Sequence, residues 1–169
     1  MVITHLGGMN VLKRHEVLFN QMADYRHELL VAVEKVNEDD ADIIPEGFRN
    51  NIRWNLGNVY LDQYLWIQHL TKEPIMLPNH FNEWFGYGTS PQDWVGGIPT
   101  LDYLKRLLAV QPFMIRDLYG ERLEEEFAVT ESGMYTVEQV LVRTIFHEGI
   151  HLGNIIALKK LVTPQEVLS

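Results

Sequence analysis

The chain has 169 residues, 46 % of them apolar and 22 % charged, the proportions of one soluble domain (1–169) with a single core. A formal net charge of −9, from 14 basic and 23 acidic side chains, disfavours nucleic acid and anionic membranes as partners. Cysteine is absent, which excludes disulfides, thiolate-held zinc and a protein thiol nucleophile, so any thiol chemistry must borrow its thiol from outside.

The opening MVITHLGGMNVLKRHEV lacks the basic-then-apolar order of a signal peptide, and no stretch approaches the ~18 uninterrupted apolar residues of a membrane span. A cytoplasmic location is the expectation. The first predicted helix runs from about Met9 to Asp39, with Val11, His15, Leu18, Met22, Tyr25, Leu29, Val33 and Val36 on its seam. It is expected to stop at DDADIIPEG, where Pro45 and Gly47 interrupt helix geometry.

A second helix, about Asn50 to Thr71, carries Ile52, Leu56, Val59, Gln63 and Ile67 on one stripe and Trp54, Asn58, Leu61 and Leu65 on another. Residues 72–99 follow with four prolines and no helical pattern. Their aromatics Phe81, Trp84, Phe85, Tyr87 and Trp94 argue for an ordered crossover strapped over the bundle. These aromatics, with Trp54, are either core or the wall of a pocket for an apolar electrophile; GTSPQDW reads as a turn.

The third helix starts near Thr100, a candidate N-cap, with Leu101, Leu104, Leu108, Ile115 and Leu118 on its seam, a kink expected at Pro112 and a stop at Gly120. The fourth opens with Thr136 and Gln139 in capping-box spacing and runs to about Val162, ahead of Pro164. Apolar almost all round, it is expected to be the central helix. Two short connections and one long one predict an all-α four-helix bundle with a crossover between helices 2 and 3.

The most informative residues are HEGIH, His147 to His151. Two histidines four apart on a helix lie roughly 40° apart around the axis and one turn along it, so both imidazoles can reach one metal ion. A satisfied core pair is the competing reading. The spacing is that of H-E-x-x-H, yet the zinc-protease completion fails. Asn154 and Ala157 stand where the extension wants Gly and His, and Glu166 is the sole carboxylic side chain after His151. A third ligand must come from upstream, and Glu148 reads as an orienting or interhelical salt-bridge residue.

FHEGIHLGNIIALKKL in the fourth helix, NIRWNLGNVYLDQYLW in the second and FGYGTSPQDW in the crossover together resemble the DinB-like family. This family comprises four-helix bundles of bacterial origin, including thiol-dependent S-transferases related to mycothiol maleylpyruvate isomerase and bacillithiol transferases. The resemblance spans nearly the whole chain. It implies an up-down-down-up bundle, frequently a homodimer, with zinc or nickel held by three histidines. Two of these match His147 and His151; the third falls at the position of Asn58 in the second helix.

Asparagine offers only a neutral carbonyl oxygen, which weakens such a site. Asp62, one turn on, and His15, on the first helix, are alternative third ligands, while the plainer readings are a salt-bridged carboxylate and a core histidine. The resemblance implies a metal-dependent transferase joining a low-molecular-weight thiol to a small electrophile. The alternative is a non-enzymatic binding or stress-associated bundle whose metal site has degenerated at Asn58. His5, His27, His69 and His80 carry no spacing signal.

Overall fold

Side-chain oxygens fix where three of the long helices begin. Asn51 Oδ1 accepts from Trp54 N at 2.8 Å and Thr100 Oγ1 from Tyr103 N at 3.2 Å, each satisfying an amide that the helix itself cannot. Thr136 and Gln139 form the reciprocal capping box that their spacing predicts, at 3.3 and 3.2 Å. The computed structural model describes residues 12–162. Met9, Val11, His5, Pro164 and Glu166, which figure in the sequence reading, lie outside that range.

Six α-helices result: α1 (Lys13–Ala32), α2 (Glu38–Asp42), α3 (Ile52–Thr71), α4 (Phe81–Phe85), α5 (Leu101–Tyr119) and α6 (Val137–Val162). The four long ones are the four predicted, and no strand occurs among the described residues beyond a single bridge between Glu126 and Thr136. Two features differ from expectation. The first helix ends at Ala32, so Val36 leaves its seam, and Asn37 caps a separate short helix inside the acidic segment by accepting from Asp40 N at 2.8 Å. Residues 72–99, expected to be irregular, hold α4 and one 3₁₀ turn at Pro91–Asp93. Pro112 is accommodated within α5, which continues to Tyr119.

Interhelical contacts give the directions. Arg26 of α1 meets Glu148 of α6, and further along Lys159 Nζ reaches Ala32 O at 2.9 Å, so these helices run the same way. Asn55 of α3 meets His151 while Asp62 meets His147, so α3 runs against α6. Lys105 of α5 approaches Glu34 while Gln111 lies beside Arg26, so α5 runs against α1. The bundle is therefore up-down-down-up, with α1 and α3 each packed between α5 and α6.

The expectation that the fourth long helix is central is corrected. It is α3 that is buried on nearly every side, because the crossover covers the face turned away from the bundle. Phe81 and Phe85 of α4 are fully buried on it. The α6 helix lies on the perimeter, with Val142, Phe146 and Ile150 exposed.

Arg26 sits in the middle of the core, 2 % exposed, and its charge is compensated at every donor. Its guanidinium donates to both Glu148 oxygens at 2.6 and 3.1 Å, to Leu108 O at 2.8 Å, to Gln111 Oε1 at 2.9 Å and to Gln63 Oε1 at 3.3 Å. Gln63 in turn donates to Thr144 Oγ1 at 3.1 Å and Gln111 to Tyr60 O at 2.8 Å. One polar layer thus locks all four long helices at one level, and sets the rotation of α6 next to His147.

Candidate functional site

On either side of Glu148, α6 turns His147 and His151 toward α3. Their Nε2 atoms are 3.1 Å apart. What decides the chemistry is the other nitrogen of each ring. His147 Nδ1 lies 3.1 Å from Asp62 Oδ2, within ion-pairing distance. His151 Nδ1 lies 2.7 Å from Asn55 Oδ1. The amide of Asn55 is oriented by its own Nδ2, which donates to Asn51 O at 2.7 Å, so its oxygen faces the ring and accepts.

Both rings stay neutral at physiological pH. Burial, reinforced by the neighbouring Arg143 charge, pushes His147 down to about 4. Burial, then His147 and Arg143, pushes His151 down to about 3. His151, protonated on Nδ1, presents a bare Nε2 lone pair, and His147 Nε2 meets it at 3.1 Å, within hydrogen-bond distance.

Two nitrogens at ~2.0–2.1 Å from a common ion stand ~2.9–3.4 Å apart for angles between octahedral and tetrahedral, and the observed separation falls in that interval. His151 also has the hydrogen-bond acceptor that orients metal-bound histidines, and His147 has a carboxylate beside its Nδ1. The pair therefore fits a divalent ion. A third protein ligand does not follow: among the described residues no group of three or more His, Asp or Glu could hold a metal.

The candidates for that third place are distributed as follows. Asn55, Asn58 and Asp62 occupy one stripe of α3, three and four residues apart, so Asn58 lies between the two residues that orient the histidines. Its Nδ2 donates to Phe85 O of the crossover at 2.6 Å. Asp62 is not a ligand in this arrangement, because it holds the Nδ1 side of His147 and is ion-paired with Arg143. Burial pushes its carboxyl up, against the pull of Arg143. Next, Arg143 stacks over Trp66 at 4.4 Å, which fixes the pair from outside.

His15 is buried at the other end of the bundle, 3.7 Å from Glu138 in the first turn of α6, and does not join the histidine pair. Glu148, the acid of the HEGIH motif, is held by Arg26 in the core and is unavailable as a base. Asn55, Arg143 and Arg26 escaped the sequence reading. A polar i, i+3, i+7 stripe of Asn55, Asn58 and Asp62 in an otherwise apolar helix is the signal that could have found the first.

A cleft of about 800 Å³ opens beside Asp62, lined by Trp66, His69, Lys72 and Tyr87 among others. The His69 ring pairs with Glu131 at 2.8 Å on its rim. Trp54, expected in the core or in a pocket wall, packs against His151 with ring centroids 6.0 Å apart and donates to Thr89 Oγ1 of the crossover at 2.9 Å.

A family model described as the DinB superfamily matches residues 21–155, which include Asn55, Asn58, Asp62, His147 and His151. No curated protein gives a significant match. Among the described residues, no helix is long and apolar enough to cross a membrane.

Proposed function

Because the chain belongs to the DinB superfamily, we propose that it is a metal-assisted S-transferase, joining a low-molecular-weight thiol to a small electrophile. The observation that carries this reading is the convergence of the two Nε2 atoms, 3.1 Å apart, beside an open cleft. His147 and His151 would hold the ion, zinc or nickel by the chemistry of two imidazoles. When bound, the ion lowers the pKa of a thiol so that thiolate is available at neutral pH. Asn55 holds the His151 ring in the tautomer that exposes Nε2, and Asp62 stands beside His147 Nδ1. Trp66 and Tyr87 offer apolar surface for the electrophile. The absence of cysteine leaves no protein thiol to compete with the substrate thiol.

Two imidazoles in place of three would hold the ion weakly and would leave room for the thiol. A second reading is favoured by one observation. The Asn58 amide is engaged with the Phe85 carbonyl, which makes the α3 position a structural tie to the crossover and suits a binding bundle that no longer catalyses. One assay separates the two. Conjugation of several low-molecular-weight thiols to a generic electrophile, with zinc or nickel present, is compared in wild type, His151→Ala and Asn58→His. Activity in wild type that vanishes in His151→Ala supports the transferase, whereas activity confined to Asn58→His supports the binding bundle.

A further inference from the structure

A separate cavity of about 410 Å³ lies between α5 and the start of the crossover. The left-handed turn at Lys72, φ 60°, ends α3 and sends the chain toward the last turns of α5, so that Ile75 and Met76 line the cavity together with Met114 and Leu118. Tyr64 lines it from α3. It stands two residues after Asp62 and roughly 200° around the helix from it, so the cavity is turned away from the histidine pair.

An unpartnered polar group points into it. Tyr119, the last residue of α5, is 5 % exposed, yet its hydroxyl has no hydrogen-bond partner among the described residues. Buried phenols normally find one. This hydroxyl lies in the field of Glu73 and Arg122, which line the same cavity. Burial, then the Glu73 charge, pushes the Tyr119 hydroxyl up, and burial does the same to Tyr64, so both stay protonated and able to donate at neutral pH. The mouth, by contrast, is apolar and open: Met76 is 96 % and Leu118 57 % exposed. Flexible thioethers in such a rim adapt to what they cover.

Charge narrows the ligand class. The Arg122 guanidinium donates to Glu73 at 2.7 and 3.1 Å and to Glu125 at 2.6 Å, so one cation is already shared by two carboxylates. An anion would have to displace one of them, and a cation finds both engaged. We propose that this cavity binds a neutral, largely apolar small molecule through one carbonyl. The carbonyl accepts from the Tyr119 hydroxyl, and the hydrocarbon part lies between Ile75, Met76, Met114 and Leu118. Apolar walls around one or two aimed donors, in a volume within the ~300–1,000 Å³ range, are the makings of a small-molecule site.

Carbon-13 NMR of methyl-labelled methionine, on the full chain without added metal, tests the proposal with three probes: propiophenone, propylbenzene and benzoate. Propiophenone at millimolar concentration is expected to move the Met76 and Met114 methyls saturably, while Met22, 1 % exposed in the core, stays fixed. Propylbenzene, which lacks the carbonyl, is expected to bind about three- to tenfold more weakly, and benzoate more weakly still. Tyr119→Phe is expected to lower the affinity for propiophenone about three- to tenfold without weakening propylbenzene, a selectivity that a merely structural hydroxyl would not produce. Leu118→Glu, at the exposed rim, is expected to abolish binding of both neutral probes with helical circular dichroism unchanged. Methionine methyls that do not respond to propiophenone, benzoate bound as tightly as propiophenone, or a Tyr119→Phe variant that binds propiophenone as wild type does would each overturn the proposal.

Discussion

Asn55 Oδ1 accepts from His151 Nδ1 at 2.7 Å, and this contact assigns the tautomer of the more buried histidine. Replacing Asn55 with leucine leaves that N–H without an acceptor and frees the ring to reverse its tautomer. Affinity for zinc is expected to fall about 10–100-fold. Calorimetric titration checks this, and nitrogen chemical shifts of His151 in the metal-free protein report the tautomer independently.

The crossover is held by van der Waals contact at one point that a single methyl group can test. A Cβ added at Gly57 would lie 2.3 Å from the Phe85 ring, which is fully buried. Gly57→Ala is therefore expected to cost about 1–3 kcal/mol by overpacking. It should also make residues 72–99 more susceptible to limited proteolysis, because Phe85 anchors α4. Urea unfolding beside a protease time course measures both effects.

Arg26→Met leaves the Glu148 carboxylate buried without its partner, so a loss of about 3–5 kcal/mol is expected. Joining it with Glu148→Leu removes the orphaned charge and should recover much of the loss. Urea denaturation of the three variants decides this. Equal stability of Arg26→Met and wild type would mean that the polar layer contributes little to the fold.

Acidification should act through the histidines in the metal-free protein. Their folded pKa values, about 4 for His147 and about 3 for His151, lie below the unfolded value of about 6.5. Between these values the unfolded chain binds more protons, so stability is lost as pH falls from about 6.5 toward 4 and is unaffected by this pair above 7. Asp62, with its raised carboxyl, acts in the opposite sense and only in the carboxylate range. Thermal unfolding from pH 7 to 5 should show the loss in wild type and a shallower one in His151→Gln.

Much of the scaffold was legible from local chemistry. Thr100, Thr136 and Gln139 announce helix starts by hydrogen bonds that span only three residues, and the helical period of the four long segments carries their type. The separate helix α2 was hidden because the apolar seam carried the first predicted helix on to Asp39, across Asn37, which instead caps a new helix. Placing α6 at the centre failed because periodicity records which faces are apolar and not what covers them. At the site, the histidine spacing was readable within one helix. The roles of Asn55 and Asp62 were not, because they arise from contacts between α3 and α6 across roughly ninety residues of sequence. Membership in the DinB superfamily accords with the resemblance carried by the HEGIH and WNLGN segments.

The central claim is that His147 and His151 hold a divalent ion which the residue at position 58 leaves incompletely ligated. Calorimetric titration of zinc and nickel into tag-free protein tests it most directly, using wild type, His147→Ala and Asn58→His. The account predicts measurable binding in wild type, none in His147→Ala, and binding at least about tenfold tighter in Asn58→His. Equal affinity in all three proteins would contradict it.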